Sequence, residues 1–531
     1  MRLKIILAAA SAAVAGAAHA QPVPLIPYAS GAEAEAAMRA GRITSEALVR
    51  ADLARIQEID KAGPKLNSVI AVNPQAIAEA RAADAERRAG HVASPLLGLP
   101  VLIKDNIEAR GMATTAGSLA LKDNVTDRDA PLVARLRAAG AVILGKTNLS
   151  EWANFRSDHS VSGWSAVGGL VRNPHELDRT ACGSSAGTGA AVAAGLASLG
   201  VGTETDGSIT CPSTMNGIVG LKPTVGLVSR RYIVPISPEQ DTAGPMTRTV
   251  EDAAAMLSVM AGSDPGDPAT QGADAHKSDY LARLKPNALQ GVRVGVLHEV
   301  VRGSPGTEVA FEAAQAALKR AGAILVDVKL PPESVLNEIG RDEGEALESE
   351  FKAAIDSYLA STPPAVKTRS LEALIAFDKA EPREMALFGQ ELFEASAKAP
   401  PVTDPAYIAR RARIRALARA AIDKMLADNQ VQVLVSPTGG PASVVDPVNG
   451  GRFFGSPTTL PAVSGYPHLT VPMGAVKGLP VGLSFVGTAW SEARLLAYGY
   501  AFEQQTHARR DPGFVPTVGA RPEIVAAYDP R

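Results

Sequence analysis

The sequence predicts an α/β protein in which helices cover both faces of a central sheet. An apolar run at 96–103 is followed by a helical pattern at 131–139 and by a second apolar run at 141–144. The same succession recurs between 292 and 326. Strand, helix and strand in series indicate parallel strands joined by crossover helices, which must lie against the faces of the sheet.

The composition is that of a large globular protein. The chain has 531 residues, of which 46% are apolar and 20% are charged, so it can bury a sizeable core as one large unit or two to three smaller ones. Its 53 basic and 55 acidic residues give a formal charge of −2. No basic field exists to gather phosphates, and we therefore expect no nucleic-acid partner.

The first element is a predicted signal peptide at 1–20. Arg2 and Lys4 precede an apolar run that extends to about Ala18, and Ala18-His19-Ala20 forms a small-residue cleavage site. No other stretch approaches 18 uninterrupted apolar residues. We expect an exported protein, periplasmic or secreted, with no membrane partner after the signal is removed; the alternative is a retained membrane anchor.

The remaining elements are assigned in chain order. Residues 30–90 are rich in Ala and predict helices, with Thr44 as a candidate N-cap. The run at 96–103 predicts a strand covered on both faces. Residues 343–427 predict helices broken by two Pro-Pro pairs, and a strand follows at 431–435. Because no Gly/Ser-rich linker isolates the segment 343–427, we interpret it as a helical insertion on one domain.

The run of Gly, Ser and Ala at 183–195 is the first candidate site. Such residues allow a tight turn and leave backbone amides exposed at the start of a helix. A phosphate-binding loop is disfavoured because no Gly-Lys-Ser/Thr ends the run. A nucleophile elbow centred on Ser185 would need a buried strand directly before it, and the preceding residues are polar and broken by Pro174. Close helix packing without catalysis is the third interpretation.

A second cluster, Gly-Thr-Glu-Thr-Asp-Gly-Ser at 202–208, predicts a strand that enters a tight turn. The successive amides of Thr205, Asp206, Gly207 and Ser208 could form an oxyanion hole around a serine nucleophile. The eight histidines are scattered, and nothing marks one of them as a base.

A buried lysine can act as the base when burial makes it neutral. Lys104 and Lys146 both end apolar strands, and Lys222 closes a third segment. The pattern alone does not rank Lys104 above Lys146.

The sequence has two cysteines, Cys182 and Cys211. One bridge is feasible in an oxidising compartment. Two buried thiols that pack as small apolar residues are an equally good interpretation.

Many ordered segments resemble the amidase signature family, across nearly the whole mature chain. They include Gly-Leu-Pro-Val-Leu-Ile-Lys-Asp-Asn at 98–106 and the two clusters already described. The others lie at 145–148, 217–224, 465–467, 469–472 and 478–483. The resemblance implies a large, central, mixed and twisted sheet covered by helices on both faces. It implies a single domain at 21–531, with an N-terminal helical segment at about 21–95, a catalytic core at about 96–250 and the helical insertion at about 343–427.

The resemblance also implies a Ser-cis-Ser-Lys triad. Lys104 corresponds to the general base, Ser184 to the bridging serine on a cis peptide, and Ser208 to the nucleophile that forms the acyl-enzyme. The turn amides of Thr205 to Ser208 would hold the oxyanion, and Ser185 would support the network by hydrogen bonds. The family's mechanism implies no cofactor and no metal.

Two positions depart from the common family pattern. The frequent Asp-Thr-Gly-Gly-Ser is Glu204-Thr205-Asp206-Gly207-Ser208 here, which puts a carboxylate two residues before the nucleophile. Asp206 either recognises a donor on the substrate or is held by local backbone amides. Cys182 replaces a glycine of many members, and a catalytic thiol is not expected because neither cysteine stands at the nucleophile position.

Within the family, the segments 149–156, 204–209, 388–392 and 487–492 resemble bacterial peptide amidases, which remove ammonia from C-terminal peptide amides. The predicted function is an exported amide hydrolase acting on such peptides or related small amides, as a monomer or homodimer. Aryl or acylated amides and amino-acid amides are alternative substrates. An amidotransferase subunit is disfavoured by the leader and the neutral charge, and a non-catalytic binding protein by the intact triad.

Overall fold

The computed structural model describes residues 28–92, 94–448, 455–522 and 524–525, so the predicted signal peptide at 1–20 lies outside the described residues. Thirteen strands occur in these ranges, which are β1 (Val69–Val72), β2 (Pro100–Lys104), β3 (Val142–Thr147), β4 (Trp164–Ser165), β5 (Gly169–Leu170), β6 (Leu199–Glu204), β7 (Val219–Lys222), β8 (Thr242–Thr247), β9 (Arg293–Val296), β10 (Ile324–Asp327), β11 (Val433–Pro437), β12 (His468–Val476) and β13 (Leu479–Val486). All but β4 and β5 form one sheet, in the order β1-β3-β2-β6-β8-β7-β12-β13-β11-β9-β10.

Helices cover this sheet. Those in the described ranges are α1 (Gly31–Arg39), α2 (Ser45–Arg55), α3 (Ala76–Arg88), α4 (Pro131–Ala138), α5 (Ala186–Ala193), α6 (Thr210–Asn216), α7 (Val250–Met260), α8 (Ala273–His276), α9 (Pro305–Arg320), α10 (Glu333–Ala360), α11 (Leu371–Ala380), α12 (Glu391–Lys398), α13 (Pro405–Asp428), α14 (Thr459–Ser464) and α15 (Glu492–Thr506). Among the described helices, none is long and apolar enough to cross a membrane.

The predicted strand–helix–strand units are confirmed. β2 and β3 pair in parallel around α4, and β9 and β10 pair in parallel around α9. The strands β8, β12 and β13 add antiparallel pairs, which makes the sheet mixed. Along β2, Val101 and Ile103 pack in the core cluster that contains α7 and α15, whereas Leu102 packs with α5. This alternation places helices on both faces of the sheet.

The N-terminal region differs from the prediction. The helices predicted within 30–90 are interrupted at Val69–Val72, which forms the unpredicted strand β1, antiparallel to β3 at the edge of the sheet. β-Branched residues favour such an edge strand. Thr44 is the N-cap of α2, and its Oγ1 accepts a hydrogen bond of 3.1 Å from the amide of Ala47.

The strand predicted at 96–103 begins only at Pro100. Residues 96–99 form a turn before β2. Gly98 in this turn has φ +79°, a left-handed conformation that favours glycine, and a side chain there would also meet Ser45 Cβ at 2.9 Å.

The predicted helical segment contains α10 to α13 and begins earlier than expected, at Glu333. The two Pro-Pro pairs, 363–364 and 400–401, follow the ends of α10 and α12 as predicted. Phe351 and Phe393 of this segment stack at 5.3 Å, and the ring of Trp152 from the loop after β3 lies 5.8 Å from Phe393. The helical segment thereby packs onto the loop that follows β3.

Candidate active site

Lys104 ends β2 and is fully buried. Its Nζ lies 2.7 Å from Ser184 Oγ, although the two residues are 80 positions apart in the sequence. Burial lowers the pKa of Lys104 to about 7, while the negative charges of Asp241 and Glu204 act in the opposite direction. Near neutral pH this amine therefore exchanges a proton readily, as a general base requires.

Thr203 fixes the orientation of the lysine. Its Oγ1 and its carbonyl oxygen lie 2.8 and 3.3 Å from Lys104 Nζ, and Asn106 Nδ2 donates to the same Oγ1 at 3.0 Å. A neutral amine has two N–H donors and one lone pair. When the neutral amine directs both donors at Thr203, its lone pair is left to accept from the hydroxyl of Ser184.

The other two candidate lysines have different surroundings. Lys146 Nζ forms an ion pair of 2.9 Å with Asp105 and donates to Thr114 Oγ1 at 2.9 Å. Lys222 Nζ donates to the carbonyl oxygen of Pro223 at 3.3 Å, and burial lowers its pKa to about 8. Lys146 therefore anchors the core, and among these three lysines it is Lys104 that contacts a serine of the 183–195 run.

Ser184 and Ser185 lie directly before α5, and the Gly183–Ser184 peptide bond is cis. The carbonyl of Ser184 accepts a hydrogen bond of 3.0 Å from the amide of Ser150. A side chain at Gly183 would lie 2.1 Å from Ser150 Oγ, so only glycine fits this close approach.

Ser185 is part of the same network and is not a nucleophile elbow. Its Oγ donates to the carbonyl of Thr203 at 3.1 Å and accepts from the Thr203 amide at 3.2 Å. Residues 171–183, which precede this turn, form none of the thirteen β-strands, and Ser185 is fully buried. The elbow interpretation is therefore wrong, because its exposed serine on a strand-to-helix turn is missing.

Ser208 lies in the turn between β6 and α6. Its carbonyl accepts a hydrogen bond of 3.2 Å from the amide of Ser185, which joins the two serine segments. Ser208 is 8% exposed while Ser184 and Ser185 are 0% exposed, so Ser208 is the serine of this group that a substrate can reach.

The turn leaves its amides free. Gly207 has φ +81°, and no amide of Asp206, Gly207 or Ser208 donates a hydrogen bond to another described residue. The carboxylate of Glu204 closes the turn by accepting from the amides of Ile209 and Thr210 at 2.7 and 2.9 Å. Free backbone amides beside a serine are the groups from which an oxyanion hole is built.

Asp206 is held by a side chain and not by local backbone amides. Its Oδ2 accepts a hydrogen bond of 2.8 Å from Thr459 Oγ1 at the start of α14. Its Oδ1 is buried and has no hydrogen-bond partner among the described residues. Burial raises the pKa of Asp206, and the hydroxyls of Thr458 and Thr459 oppose that rise. One carboxylate oxygen is thus left for another donor.

The sequence reasoning missed three residues that surround the site. Thr203 and Asn106 lie inside the recognised motifs, but no pattern distinguishes them from their neighbours. Asp241 precedes β8 and belongs to no motif. Its Oδ1 accepts a hydrogen bond of 2.6 Å from Thr205 Oγ1, and its Oδ2 accepts from the amides of Ile236 and Ser237. Only the folded chain brings this carboxylate to the turn.

The two cysteines form a disulfide, which decides between the two interpretations left open by the sequence. Cys182 precedes the cis peptide, and Cys211 lies in the first turn of α6. The bridge therefore ties the loop that carries Ser184 to the helix that follows Ser208.

Comparisons with known proteins agree on one family. The sequence model of the family called Amidase matches residues 47–496. A probable amidase of Arabidopsis thaliana is 38% identical over 484 residues, which cover 89% of each chain. A glutamyl-tRNA(Gln) amidotransferase subunit of Roseiflexus castenholzii is 37% identical, covering 90% of this chain and 95% of its own. The crystal structure of native peptide amidase from Stenotrophomonas maltophilia is 50% identical with a TM-score of 0.87, covering 92% of this chain and 99% of its own.

Proposed function

This chain belongs to the amidase family of amide-hydrolysing enzymes, and we propose that it releases ammonia from C-terminal peptide amides through an acyl-enzyme on Ser208. The observation that carries the proposal is the contact of 2.7 Å between the buried amine of Lys104 and the hydroxyl of Ser184, next to the accessible Ser208. The choice of peptide amides is supported by the 50% identity to a peptide amidase over almost the whole chain.

In the proposed first half-reaction, Ser208 Oγ attacks the carbonyl carbon of the amide. Its proton passes to Ser184, whose own proton passes to the neutral amine of Lys104. The amides of Gly207 and Ser208 hold the oxyanion of the tetrahedral intermediate. The C–N bond then breaks, the leaving nitrogen takes the proton back through Ser184, and ammonia departs from the acyl-enzyme.

The second half-reaction repeats these transfers with water. Ser184 and Lys104 remove a proton from the water that attacks the acyl carbonyl, and Ser208 leaves as the free alcohol with that proton. The lowered pKa of Lys104 serves both halves: at pH 7 a lysine with a pKa of about 7 is roughly half neutral, whereas an ordinary lysine is neutral in roughly one molecule in 3,000.

The relatives that are named as subunits of glutamyl-tRNA(Gln) amidotransferase favour a second candidate, in which the released ammonia is delivered to another acceptor. The predicted signal peptide and the formal charge of −2 argue against it, since tRNA is a cytoplasmic polyanion. We therefore prefer simple hydrolysis, in which the ammonia is released into solution.

We also propose that the protein is exported to the periplasm or the medium. The predicted signal at 1–20 motivates this, and the disulfide supports it because such bonds persist in oxidising compartments. Edman sequencing of the protein from the periplasmic fraction should begin at Gln21. Light scattering of the same sample tests the expected monomer or homodimer.

The function is tested by measuring ammonia release from a panel of peptide amides, aryl amides and amino-acid amides. Peptide amides should be the best substrates, and equal rates across unrelated amides would refute the peptide-specific proposal. The variant Ser208→Ala should lose at least about a thousandfold in kcat and all labelling by a fluorophosphonate probe. Ser258→Ala, on α7 at the opposite face of the sheet, is the matched control and should retain both.

A further inference from the structure

Cys182 has a backbone conformation that residues other than glycine rarely adopt. It stands two residues before Ser184, and its φ of +55° lies in the left-handed region. That conformation costs free energy for a residue with a Cβ. Glycine, which many members of the family have at this position, adopts it without a steric cost. A contact with the rest of the molecule must therefore hold Cys182 in it.

Backbone hydrogen bonds do not supply this contact. Among the described residues, the backbone of Cys182 and Gly183 forms no hydrogen bond with another segment, and the Cys182 amide donates to Thr180 Oγ1, two residues earlier, at 3.0 Å. The next hydrogen bond to another segment is at Ser184, whose carbonyl accepts from the Ser150 amide at 3.0 Å.

The disulfide joins Cys182 to the segment that carries the nucleophile. Its partner Cys211 lies in the first turn of α6, where the Cys211 amide donates to the carbonyl of Gly207 at 2.8 Å. Gly207 directly precedes Ser208 in the turn before this helix. The sulfur of Cys182 is therefore bonded to a residue that the nucleophile turn itself fixes.

The conformation of Cys182 affects the position of Ser184. A change in φ at Cys182 rotates the chain that follows it, and Ser184 is only two residues away. Ser184 Oγ lies 2.7 Å from Lys104 Nζ, which is within the range that proton transfer requires. A displacement of about 1 Å at a reacting group can lower the rate about a hundredfold.

We propose that the disulfide holds Cys182 in the left-handed conformation and thereby keeps Ser184 against Lys104, so that the enzyme loses activity when the bond is reduced. The inference rests on the proposed function, because it takes Ser184 and Lys104 as the proton relay of that reaction. Combined with the proposed export, it predicts a chain that becomes active only after it leaves the reducing cytoplasm.

A small reductant can reach this bond. Both cysteines are half-buried, beside the apolar side chains of Met215, Ala442 and Leu479. A thiolate of a dithiol such as dithiothreitol attacks one sulfur, so that the S–S bond breaks and a mixed disulfide forms. The second thiol of the reductant then displaces the cysteine. The two cysteines gain two electrons and two protons as thiols, and the oxidised reductant leaves as a cyclic disulfide.

Two pairs of substitutions separate this role from simple stabilisation. Cys182→Ser with Cys211→Ser, the serine pair, removes the bond and leaves a residue with a Cβ at φ +55°. Cys182→Gly with Cys211→Ser, the glycine pair, also removes the bond, but glycine adopts this φ without a steric cost. Both pairs lose the stabilisation that comes from the closed loop, and they differ in the backbone preference at position 182.

The experiment measures kcat and KM for a peptide amide, with circular dichroism to verify that each protein is folded. Dithiothreitol on the folded wild type, or the serine pair, should lower kcat by about tenfold or more with little change in KM. The glycine pair should keep kcat within about threefold of the wild type and should not respond to dithiothreitol.

The result is decisive in either direction. If the reduced wild type or the folded serine pair keeps the wild-type kcat, or if the glycine pair is as slow as the serine pair, the inference is refuted. Dithiothreitol is added to protein that has already folded, so this arm remains informative if the serine pair does not fold.

A second readout separates the inference from the proposed function. The rate at which a fluorophosphonate probe labels Ser208 depends on the proton relay and needs no peptide. If the wild type releases no ammonia from any peptide amide, the proposed function is wrong, and the labelling rates still test the inference. Equal labelling rates for the oxidised and the reduced wild type would overturn it.

Discussion

The orientation of Lys104 by Thr203 gives the sharpest prediction. Thr203→Val replaces the hydroxyl with a methyl group of similar size and removes the contact of 2.8 Å to Lys104 Nζ. A hydrogen bond that involves a charged group contributes about 1.5–3 kcal/mol, against about 0.5–1.5 kcal/mol between neutral groups. The substitution therefore destabilises the ammonium more than the amine, by about 1 kcal/mol.

The sign and the size of the effect follow from this difference. Losing about 1 kcal/mol from the ammonium lowers the pKa of Lys104 by somewhat less than one unit, from about 7 towards 6. Since the neutral amine is the base in the proposed mechanism, activity should rise with pH through this pKa, and the acid limb of the profile should move to lower pH. The alkaline plateau of kcat should fall about tenfold, because the lone pair is no longer held towards Ser184.

The assay is ammonia release from a peptide amide between pH 5 and 9, with Thr203→Ser as the conservative variant that should restore both quantities. The thermal midpoint is measured alongside, because Asn106 Nδ2 also loses its acceptor at Thr203. An acid limb and a plateau that both remain at their wild-type positions in Thr203→Val would refute the assignment of Thr203 as the residue that orients the base.

Two predictions concern stability. Reduction, or Cys182→Ser with Cys211→Ser, should lower the free energy of unfolding by about 4 kcal/mol, from the entropy of a loop of 29 residues, as measured by urea denaturation. Asp378 is fully buried, its two carboxylate oxygens have no partner among the described residues, and burial, with Glu384 adding to it, raises its pKa to about 8. The folded state therefore keeps a proton that the unfolded chain loses near pH 4, so stability should decrease from pH 4 to 8; Asp378→Asn should flatten this decrease, and a slope equal to the wild type would contradict it.

The local elements could be predicted because their signals are local. The helix α4 and the strand β3 follow from apolar spacing and a glycine stop, and the N-cap of α2 from a single threonine. The sequence does not predict β1, because four residues between Ala-rich helices give no periodicity. Its partner strand, β3, lies about 75 residues further along the chain.

The residues of the candidate site also fall into those that the sequence locates and those that only the folded chain brings together. The family resemblance located Lys104, Ser184 and Ser208. The pattern of apolar strands alone did not distinguish Lys104 from Lys146, since both residues end such strands. The fold distinguishes them by their partners, because Lys146 meets Asp105 and Lys104 meets Ser184. Asp241, which holds the turn at Thr205, has no sequence signal at all.

The sequence by itself determined the class of fold, the family and the positions of the serines and lysines, because periodicity and motif order are properties of the linear chain. The tertiary structure showed which lysine contacts Ser184, which serine is accessible, how Asp206 is held and that Cys182 and Cys211 are joined. These properties depend on burial and on contacts between residues far apart in the chain. The pKa of an amine and the exposure of a hydroxyl are set by the surrounding atoms, and those surroundings exist only after folding.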